Sequence, residues 1–347
     1  MQFLVSVVTL FDEKSMMKLR ATCQLDYHFS QPTPAVFLLR PQSGLAQQII
    51  QEEWQVTPPL AVTSYNDNFG NLCDRVLFPM GDYQVSLTVE LYTSEWIDVA
   101  PGMPKTPIEQ LPSDTMVYLL PSRYCLPEFL LQEAQMITQD FAEGYDKAAA
   151  ICAYIHQNFT YQYGSSTADT SALDTWQHKK GVCRDFAHLG ISLSRALDMP
   201  ARMVVGYLYQ LDPMDLHAWY EVFIGDRWYT FDATQSAPKG GRVILGYGRD
   251  AADVAFATFF APFELKDAAK LPAAKLISIS DGCCIPAKVF SLYSINPKEI
   301  LILFNGISAI SKWPLIVKFF STKSSIVIEL GINCKIFLYS SSAKSAL

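Results

Sequence analysis

A cysteine in the second half of the chain has the surroundings that thiol catalysis needs. Cys183 follows Gly181 and Val182 and opens a predicted helix. A helix N-terminus stabilises a thiolate through the helix dipole, and its unpaired backbone N–H groups can hold an oxyanion. Cys23 and Cys152 are instead explained as packing residues of the core. Cys183 is therefore the candidate nucleophile.

A thiolate nucleophile needs a histidine base and a third group that orients the imidazole. Of the five histidines, His217 begins a predicted strand, and a Gly225-Asp226 turn returns the chain towards Asp232. A two-residue loop pairs residue 224 with residue 227, which places Asp232 opposite Trp219, diagonal to His217 and on the same face of the sheet. The pattern thus predicts a carboxylate beside the imidazole, where it can fix the tautomer.

Other polar residues near Cys183 are expected to have supporting roles. His188 lies about 140° round the helix from Cys183, so we expect it at the surface or behind the site. Asp185, in the first turn, is expected to interact with the helix dipole or anchor the preceding loop, because a carboxylate would oppose a nearby thiolate. Residues 176–178 either include a side-chain oxyanion donor or only pack, and the sequence leaves both open.

The first part of the chain has the period-two alternation of strands. Residues 17–92 alternate apolar and polar side chains, which predicts several short strands separated by turns. Besides the long alternating segments at its two ends, the strand candidates are Val36–Leu39, Ile49–Val56 and Arg75–Phe78, with turns at residues 65–68 and 69–71. Their number and spacing predict a small antiparallel sandwich. The proline-rich residues 99–113 predict an ordered linker.

The second half changes to the helical period. Apolar residues at steps of three and four predict one helix from Tyr145 to Phe159 and a second from Val182 to Leu197. Strands are predicted to follow at Arg202–Tyr209, His217–Ile224 and Arg227–Ala233. Helices followed by an antiparallel sheet indicate an α+β fold.

Composition excludes several classes of protein. A chain of 347 residues that is 50% apolar can bury a core and is not disordered. Its net charge of −7 argues against a nucleic-acid partner. No segment predicts a membrane-spanning helix or a signal peptide, so we expect a cytoplasmic protein without a membrane partner. Cys183 with His188 or His217 lacks the further ligands of a metal site, so neither a metal nor another cofactor is predicted.

Three segments together resemble the core motifs of the transglutaminase-like superfamily, most closely its bacterial branch described as candidate cysteine proteases. The segments are Gly181–Leu189, His217–Val222 and Trp228–Thr234, and two further segments, Leu120–Cys125 and Gly248–Val254, resemble signatures of that branch. The resemblance implies a papain-like core with Cys183 as nucleophile, His217 as base and Asp232 as orienting acid. One departure follows the acid, where Ala233 and Gln235 replace the usual proline and asparagine, which affects the shape of that loop.

The residues and the resemblance lead to one predicted function and two alternatives. We expect thiol-dependent acyl transfer at amide bonds through a thioester, with hydrolysis of a peptide or protein as the outcome. The alternatives are transglutaminase-type transfer to an amine acceptor and a non-catalytic interaction module. The intact Cys183, His217 and Asp232 argue against the module. The substrate, the acceptor and the oligomeric state stay open.

The two ends of the chain differ from its middle. From Ile285 to Leu347 seven lysines and two glutamates give a charge of +5, against −12 for residues 1–284. This tail is either a small β-rich module or sequence without a functional domain, and the change in composition favours the second. The predicted organisation is a non-essential leader at 1–16, an N-terminal β-sandwich domain at 17–120, a catalytic core at 121–284 and the atypical tail at 285–347.

Overall fold

A computed structural model describes residues 16–44 and 46–261 in full, together with the backbone of seven short strands between residues 264 and 339. The chain divides into two compact units. One covers Phe11–Pro286, and the other includes the strands that follow Ala287. All candidate site residues belong to the first unit.

The first six strands form two antiparallel sheets. They are β1 (Met16–Phe29), β2 (Thr33–Phe37), β3 (Gln47–Thr57), β4 (Val62–Asn66), β5 (Leu72–Phe78) and β6 (Gly81–Ser94). One sheet has the order β1-β6-β3 and the other β2-β5-β4. The predicted alternation is confirmed, because every second residue of β1 from Leu19 to Phe29 is buried. Phe29 stacks on Phe78 with ring centroids 4.5 Å apart, which joins the two sheets.

One predicted turn in this region is wrong. Tyr65 and Asn66 belong to strand β4 rather than to a turn, although a turn does follow at residues 68–69. All five residues of β4 are exposed. An edge strand without a buried face has no alternation of apolar and polar residues, so its sequence carries no period-two signal.

The next segment supplies the helices and the second antiparallel sheet. Its elements are α1 (Leu131–Thr138), α2 (Tyr145–Asn158), β7 (Thr160–Tyr161), α3 (Ala172–His178), β8 (Lys180–Gly181), α4 (Cys183–Ala196), β9 (Ala201–Leu208), β10 (His217–Ile224), β11 (Arg227–Phe231) and β12 (Arg242–Gly248). The sheet has the order β11-β10-β9-β12. The predicted helices α2 and α4 and strands β9 to β11 are confirmed, as is the α+β class. Helices α1 and α3 and strand β12 were not predicted.

Helix α4 lies against strand β10 through a very close approach. A Cβ atom added at Gly190 would meet the ring of Tyr220 at 2.4 Å, so only glycine allows this distance between the helix and the strand.

His188, on the same helix, is completely buried and stacks on Tyr124 with ring centroids 5.0 Å apart. The expectation of a surface position for His188 is therefore wrong. Burial lowers the pKa of His188 to about 3, so the neutral ring accepts a hydrogen bond from Ala251 N–H at 3.1 Å.

Strand β12 is held against the sandwich by side chains that replace a neighbouring strand. The Gln47 amide donates to the carbonyl of Ile244 at 2.7 Å and accepts from its N–H at 2.8 Å. Asn71 makes the same pair of bonds with Tyr247, at 2.7 and 2.8 Å. These bonds satisfy the outer edge of β12, which would otherwise carry unpaired backbone groups. The sandwich thus fixes the strand that begins with Arg242.

The chain returns to the sandwich after β12. Strand β13 (Ala257–Phe259) pairs with β2, and strands β14 (Glu264–Leu265) and β15 (Lys275–Ser278) pair with β1. The sandwich is therefore built from two separate parts of the chain, and a boundary at residue 120 does not include the second part.

The tail contains strands that pair among themselves. Strand β16 (Phe290–Asn296) pairs with β17 (Glu299–Phe304), and β18 (Val317–Thr322), β19 (Ser325–Leu330) and β20 (Cys334–Tyr339) form a three-stranded antiparallel sheet. Whether the tail is dispensable stays a prediction. The predicted leader lies, except for Met16, outside the described residues. Among the described helices, none has both the length and the apolar character needed to cross a bilayer.

Candidate active site

Cys183 is the first residue of helix α4 and is partly exposed. The Asp185 carboxylate turns back and accepts a hydrogen bond from Val182 N–H at 2.8 Å, which fixes the entry of the chain into the helix. A Cβ atom at Gly181 would lie 2.7 Å from Cβ of Asp185, so this return needs glycine. The prediction that Asp185 anchors the loop is confirmed. The Cys183 thiol thus lies at a helix N-terminus, where the first backbone N–H groups have no carbonyl partner in the preceding turn.

The β10–β11 hairpin brings His217 and Asp232 together. The register runs from Ile224 opposite Arg227 to Tyr220 opposite Phe231, as the two-residue turn predicts. Asp232 follows the last paired residue, and its Oδ2 atom lies 2.9 Å from Nε2 of His217. The predicted contact between the two side chains is confirmed. Because a carboxylate only accepts hydrogen bonds, Nε2 carries the hydrogen and Nδ1 is the nitrogen available to the thiol.

Asp232 is held in place by more than the histidine. Its Oδ1 atom accepts from the Thr234 hydroxyl at 2.7 Å and from the Thr234 backbone N–H at 3.1 Å. Its Oδ2 atom lies 3.0 Å from Nη2 of Arg242, and both side chains are almost completely buried. Burial alone would raise the pKa of Asp232, but the positive charges of His217 and Arg242 hold it well below its ordinary value. Asp232 is therefore ionised at neutral pH.

The electrostatics of His217 favour its protonated form. Burial lowers the pKa of an imidazole, but the Asp232 carboxylate and, to a smaller extent, the Cys183 side chain together raise the pKa of His217 to about 9. Cys183 is therefore close enough to the imidazole to act on its pKa. The imidazole also stacks on Trp219, with ring centroids 6.0 Å apart and planes 30° from parallel. At neutral pH the raised pKa keeps His217 mainly in its imidazolium form.

A cavity of about 200 Å³ lies behind the carboxylate. It is lined by Asp232 and Arg242 together with Cys152, His156 and neighbouring residues of the 235–238 loop. His156 is fixed by a hydrogen bond between Nδ1 and the Ala233 carbonyl at 3.0 Å. Cys183 is not among the residues that line this cavity.

The structure brings together the three residues predicted from the sequence and adds one that was missed. Arg242 lies in strand β12, ten residues after Asp232, and no motif or period of the sequence points to it.

Among residues 176–178, Trp176 stacks on Tyr154 with ring centroids 6.0 Å apart and receives the Lys179 ammonium on its face. Nδ1 of His178 bonds to the Asp174 carbonyl at 2.8 Å. These two side chains are thus engaged in packing and capping contacts.

Replacing Arg242 with glutamine is expected to raise the pKa of Asp232, because one of its two neighbouring positive charges is lost. Asp232 is then protonated at a higher pH than in the wild type. The acidic limb of the turnover–pH profile therefore moves to higher pH. Turnover at neutral pH falls by roughly tenfold through looser positioning of the imidazole. Arg242→Lys, which keeps the charge, should restore most of the wild-type profile.

A matched control for this substitution lies on the neighbouring strand. Arg202 pairs with Glu221 in an arrangement of the same kind, at 2.8 Å between Nε and Oε2, but away from the triad. Arg202→Gln is expected to leave the acidic limb where it is in the wild type. If both glutamine variants moved the limb equally, the shift would be a general effect of stability and not an effect of Arg242 on Asp232.

Comparison with known proteins relates the chain to one family. A family model described as the transglutaminase-like superfamily matches residues 132–233, which include all three candidate residues. The chain is also similar to a solved structure from Cytophaga hutchinsonii described as a candidate cysteine protease. The two are 34% identical with a TM-score of 0.72, and the match covers 78% of this chain and 93% of the other.

Two curated mycobacterial proteins, both uncharacterised, are similar over most of their length. The protein from Mycobacterium leprae is 24% identical over 261 residues, covering 69% of this chain and 91% of its own. The protein from Mycobacterium tuberculosis is 26% identical over 279 residues, covering 68% of this chain and 84% of its own. The similarity therefore extends well beyond the segment matched by the family model.

Proposed function

The chain belongs to the transglutaminase-like superfamily, and from this premise we propose that it performs acyl transfer at amide bonds through a thioester on Cys183. His217 is the proton donor and acceptor, and Asp232 orients it. The observation that supports this most is the buried bond of 2.9 Å between His217 Nε2 and Asp232 Oδ2, together with the effect of Cys183 on the pKa of the same imidazole. The arrangement is that of a nucleophile, a base and an orienting acid.

The first half of the reaction forms the thioester. The Cys183 thiolate attacks the amide carbonyl carbon, a C–S bond forms, and the carbonyl oxygen takes up the negative charge near the N–H groups at the start of α4. The His217 imidazolium gives its Nδ1 proton to the leaving nitrogen as the C–N bond breaks. The products of this half are the amine and the acyl-enzyme, and His217 is left neutral.

The second half transfers the acyl group to water. Neutral His217 takes a proton from a water molecule, whose oxygen attacks the thioester carbon, and the C–S bond breaks to release the acid and restore the ion pair. We favour water over an amine because Cys183 is partly exposed, which gives solvent access to the thioester. The Cytophaga relative is also described as a candidate cysteine protease. The protein is then a cysteine peptidase or amidase.

Two observables separate hydrolysis from amine transfer. A library of peptides is incubated with the protein in heavy-oxygen water together with a primary amine, and the products are identified by mass. Hydrolysis is expected to place one heavy oxygen in the new carboxylate, and Cys183→Ala is the control. Products that carry the amine instead would identify the protein as a transglutaminase, and no product with any peptide would favour the interaction module.

Selective alkylation tests the ionisation state of the thiol without a known substrate. We expect iodoacetamide at pH 6 to modify Cys183 at least about tenfold faster than the other described cysteines. Burial raises the pKa of Cys23 and Cys73 to about 11 and of Cys125 and Cys152 to about 12, which keeps these thiols protonated. The rates are measured by mass mapping at several times.

A histidine variant is the control for the alkylation. In His217→Ala the imidazolium is absent, so the rate at Cys183 at pH 6 is expected to fall towards that of an ordinary cysteine. Modification of Cys152 or Cys23 before Cys183 in the wild type would contradict the proposed ion pair.

A further inference from the structure

Two exposed tyrosines lie beside the proposed nucleophile and have no part in the triad. Tyr161 forms a parallel bridge with Gly181, two residues before Cys183, and the next residue, Gln162, donates its N–H to the Gly181 carbonyl at 2.9 Å. Tyr161 is 40% exposed and Tyr163 is 51% exposed. Their rings meet edge to face with centroids 5.4 Å apart. The pair forms an aromatic surface that we call the tyrosine patch.

The tyrosine patch is fixed to the helix that carries the thiol. The Tyr161 ring meets Phe186 edge to face at 5.9 Å, and Phe186 is a buried residue one turn after Cys183 on α4. Burial raises the pKa of Tyr161, and the charge of Cys183 and the Tyr163 hydroxyl raise it further. Tyr161 thus touches its partner tyrosine and Phe186 of the helix that Cys183 begins. Aromatic rings held in this way offer contact area at a small cost in conformational entropy.

The patch and the imidazole approach Cys183 from different elements. His217 comes from strand β10, whereas the tyrosines come from the chain around β7 and β8, before α4. The leaving amine must lie next to His217, because it takes its proton from that imidazolium. The acyl part of the substrate then extends away from His217. The tyrosine patch is one surface near Cys183 that lies on the side of β7 and β8 and that this part could cover.

On the basis of the proposed function, we propose that Tyr161 and Tyr163 form a subsite for an aromatic or large apolar side chain on the residue that supplies the scissile carbonyl. Such a side chain covers ring faces that are now exposed to water, which is favourable in proportion to the area buried. A lysine side chain brings less apolar surface to the rings than a phenylalanine does, so it gains less from this burial. The proposal assigns the substrate class and leaves the chemical steps unchanged.

Chloromethyl ketones test this subsite without a known substrate. These reagents carry one amino-acid side chain on the acyl side, and alkylation forms an S–C bond to Cys183 with loss of chloride. We compare N-acetyl-phenylalanyl, N-acetyl-alanyl and N-acetyl-lysyl chloromethyl ketones, and we divide each rate by the iodoacetamide rate of the same protein. The phenylalanyl reagent is expected to react about tenfold faster than the other two.

Two substitutions at Tyr163 and one control distinguish the subsite from a general effect. In Tyr163→Ala the phenylalanyl reagent is expected to react no more than about twofold faster than the other two reagents. Tyr163→Phe keeps the aromatic ring and is expected to keep the wild-type preference for the phenylalanyl reagent. Tyr65→Ala removes an exposed tyrosine of β4, 42% exposed and away from the site, and should keep the preference. Equal normalised rates for all three reagents, or a preference that survives Tyr163→Ala, would overturn the subsite. Failure of Cys183 to react even with iodoacetamide would overturn the proposed function and the subsite with it.

Discussion

Turnover of an amide substrate by the Cys183→Ala variant is expected to be lower than that of the wild type by on the order of 10⁴-fold or more. The thiol forms and breaks the covalent bond to the acyl group, and alanine supplies no nucleophile. The fold should persist, because Cys183 is partly exposed at the first position of α4 and alanine favours the helix. We expect a melting temperature within about 2 °C of the wild type. Initial rates and thermal melting measure the two effects.

The matched control is a cysteine of the sandwich. Cys23 is buried in β1, so Cys23→Ala is expected to lower stability through lost packing while turnover per folded molecule stays at the wild-type value. Wild-type turnover in Cys183→Ala would show that another residue is the nucleophile. Equal loss of turnover in both variants, with equal loss of folded protein, would attribute the effect to stability.

The second large effect is expected at the histidine. His217→Ala should lower turnover to about the level of Cys183→Ala, because without the imidazole the leaving nitrogen takes up no proton. The double variant should be no worse than either single variant, since the two groups act as one unit. Rates of all three variants at one pH give the comparison. Additive losses would mean that the two residues act separately.

The pH profile of the wild type supports the same assignment. The pKa of His217 is raised to about 9, so the imidazolium is present below this pH and is lost as the pH rises through it. Turnover is therefore expected to fall above about pH 9, where His217 no longer donates a proton to the leaving amine. The contribution of the raised pKa to stability has the same sign. It is complete below the ordinary histidine pKa of about 6.5 and disappears as the pH rises through about 9.

The hairpin and the two long helices could be predicted because their signals are local. The register of β10 and β11 follows from a two-residue turn, so the contact between His217 and Asp232 could be placed by counting. Helices α2 and α4 each have 14 residues, enough for a clear helical period. Helices α1 and α3 have 8 and 7 residues, too few for their apolar positions to stand out from the loops around them.

The contacts missed by sequence reasoning depend on tertiary structure. Arg242 reaches Asp232 because β12 lies beside β9, and β12 is held there by Gln47 and Asn71 of the sandwich. Nothing near Arg242 in the sequence encodes those bonds. The burial of His188 has a similar origin, since its angle on the helix says nothing about Tyr124, which covers it from a distant segment.

The central claim is that catalysis passes through a thioester on Cys183, and the acyl-enzyme can be observed directly. The protein is mixed with a peptide that it turns over, quenched in acid within milliseconds to seconds, digested and mapped by mass. We predict an acyl adduct on the peptide that contains Cys183, released by hydroxylamine and absent from Cys183→Ala. Steady turnover without an adduct at Cys183, or an adduct on a different residue, would contradict the mechanism.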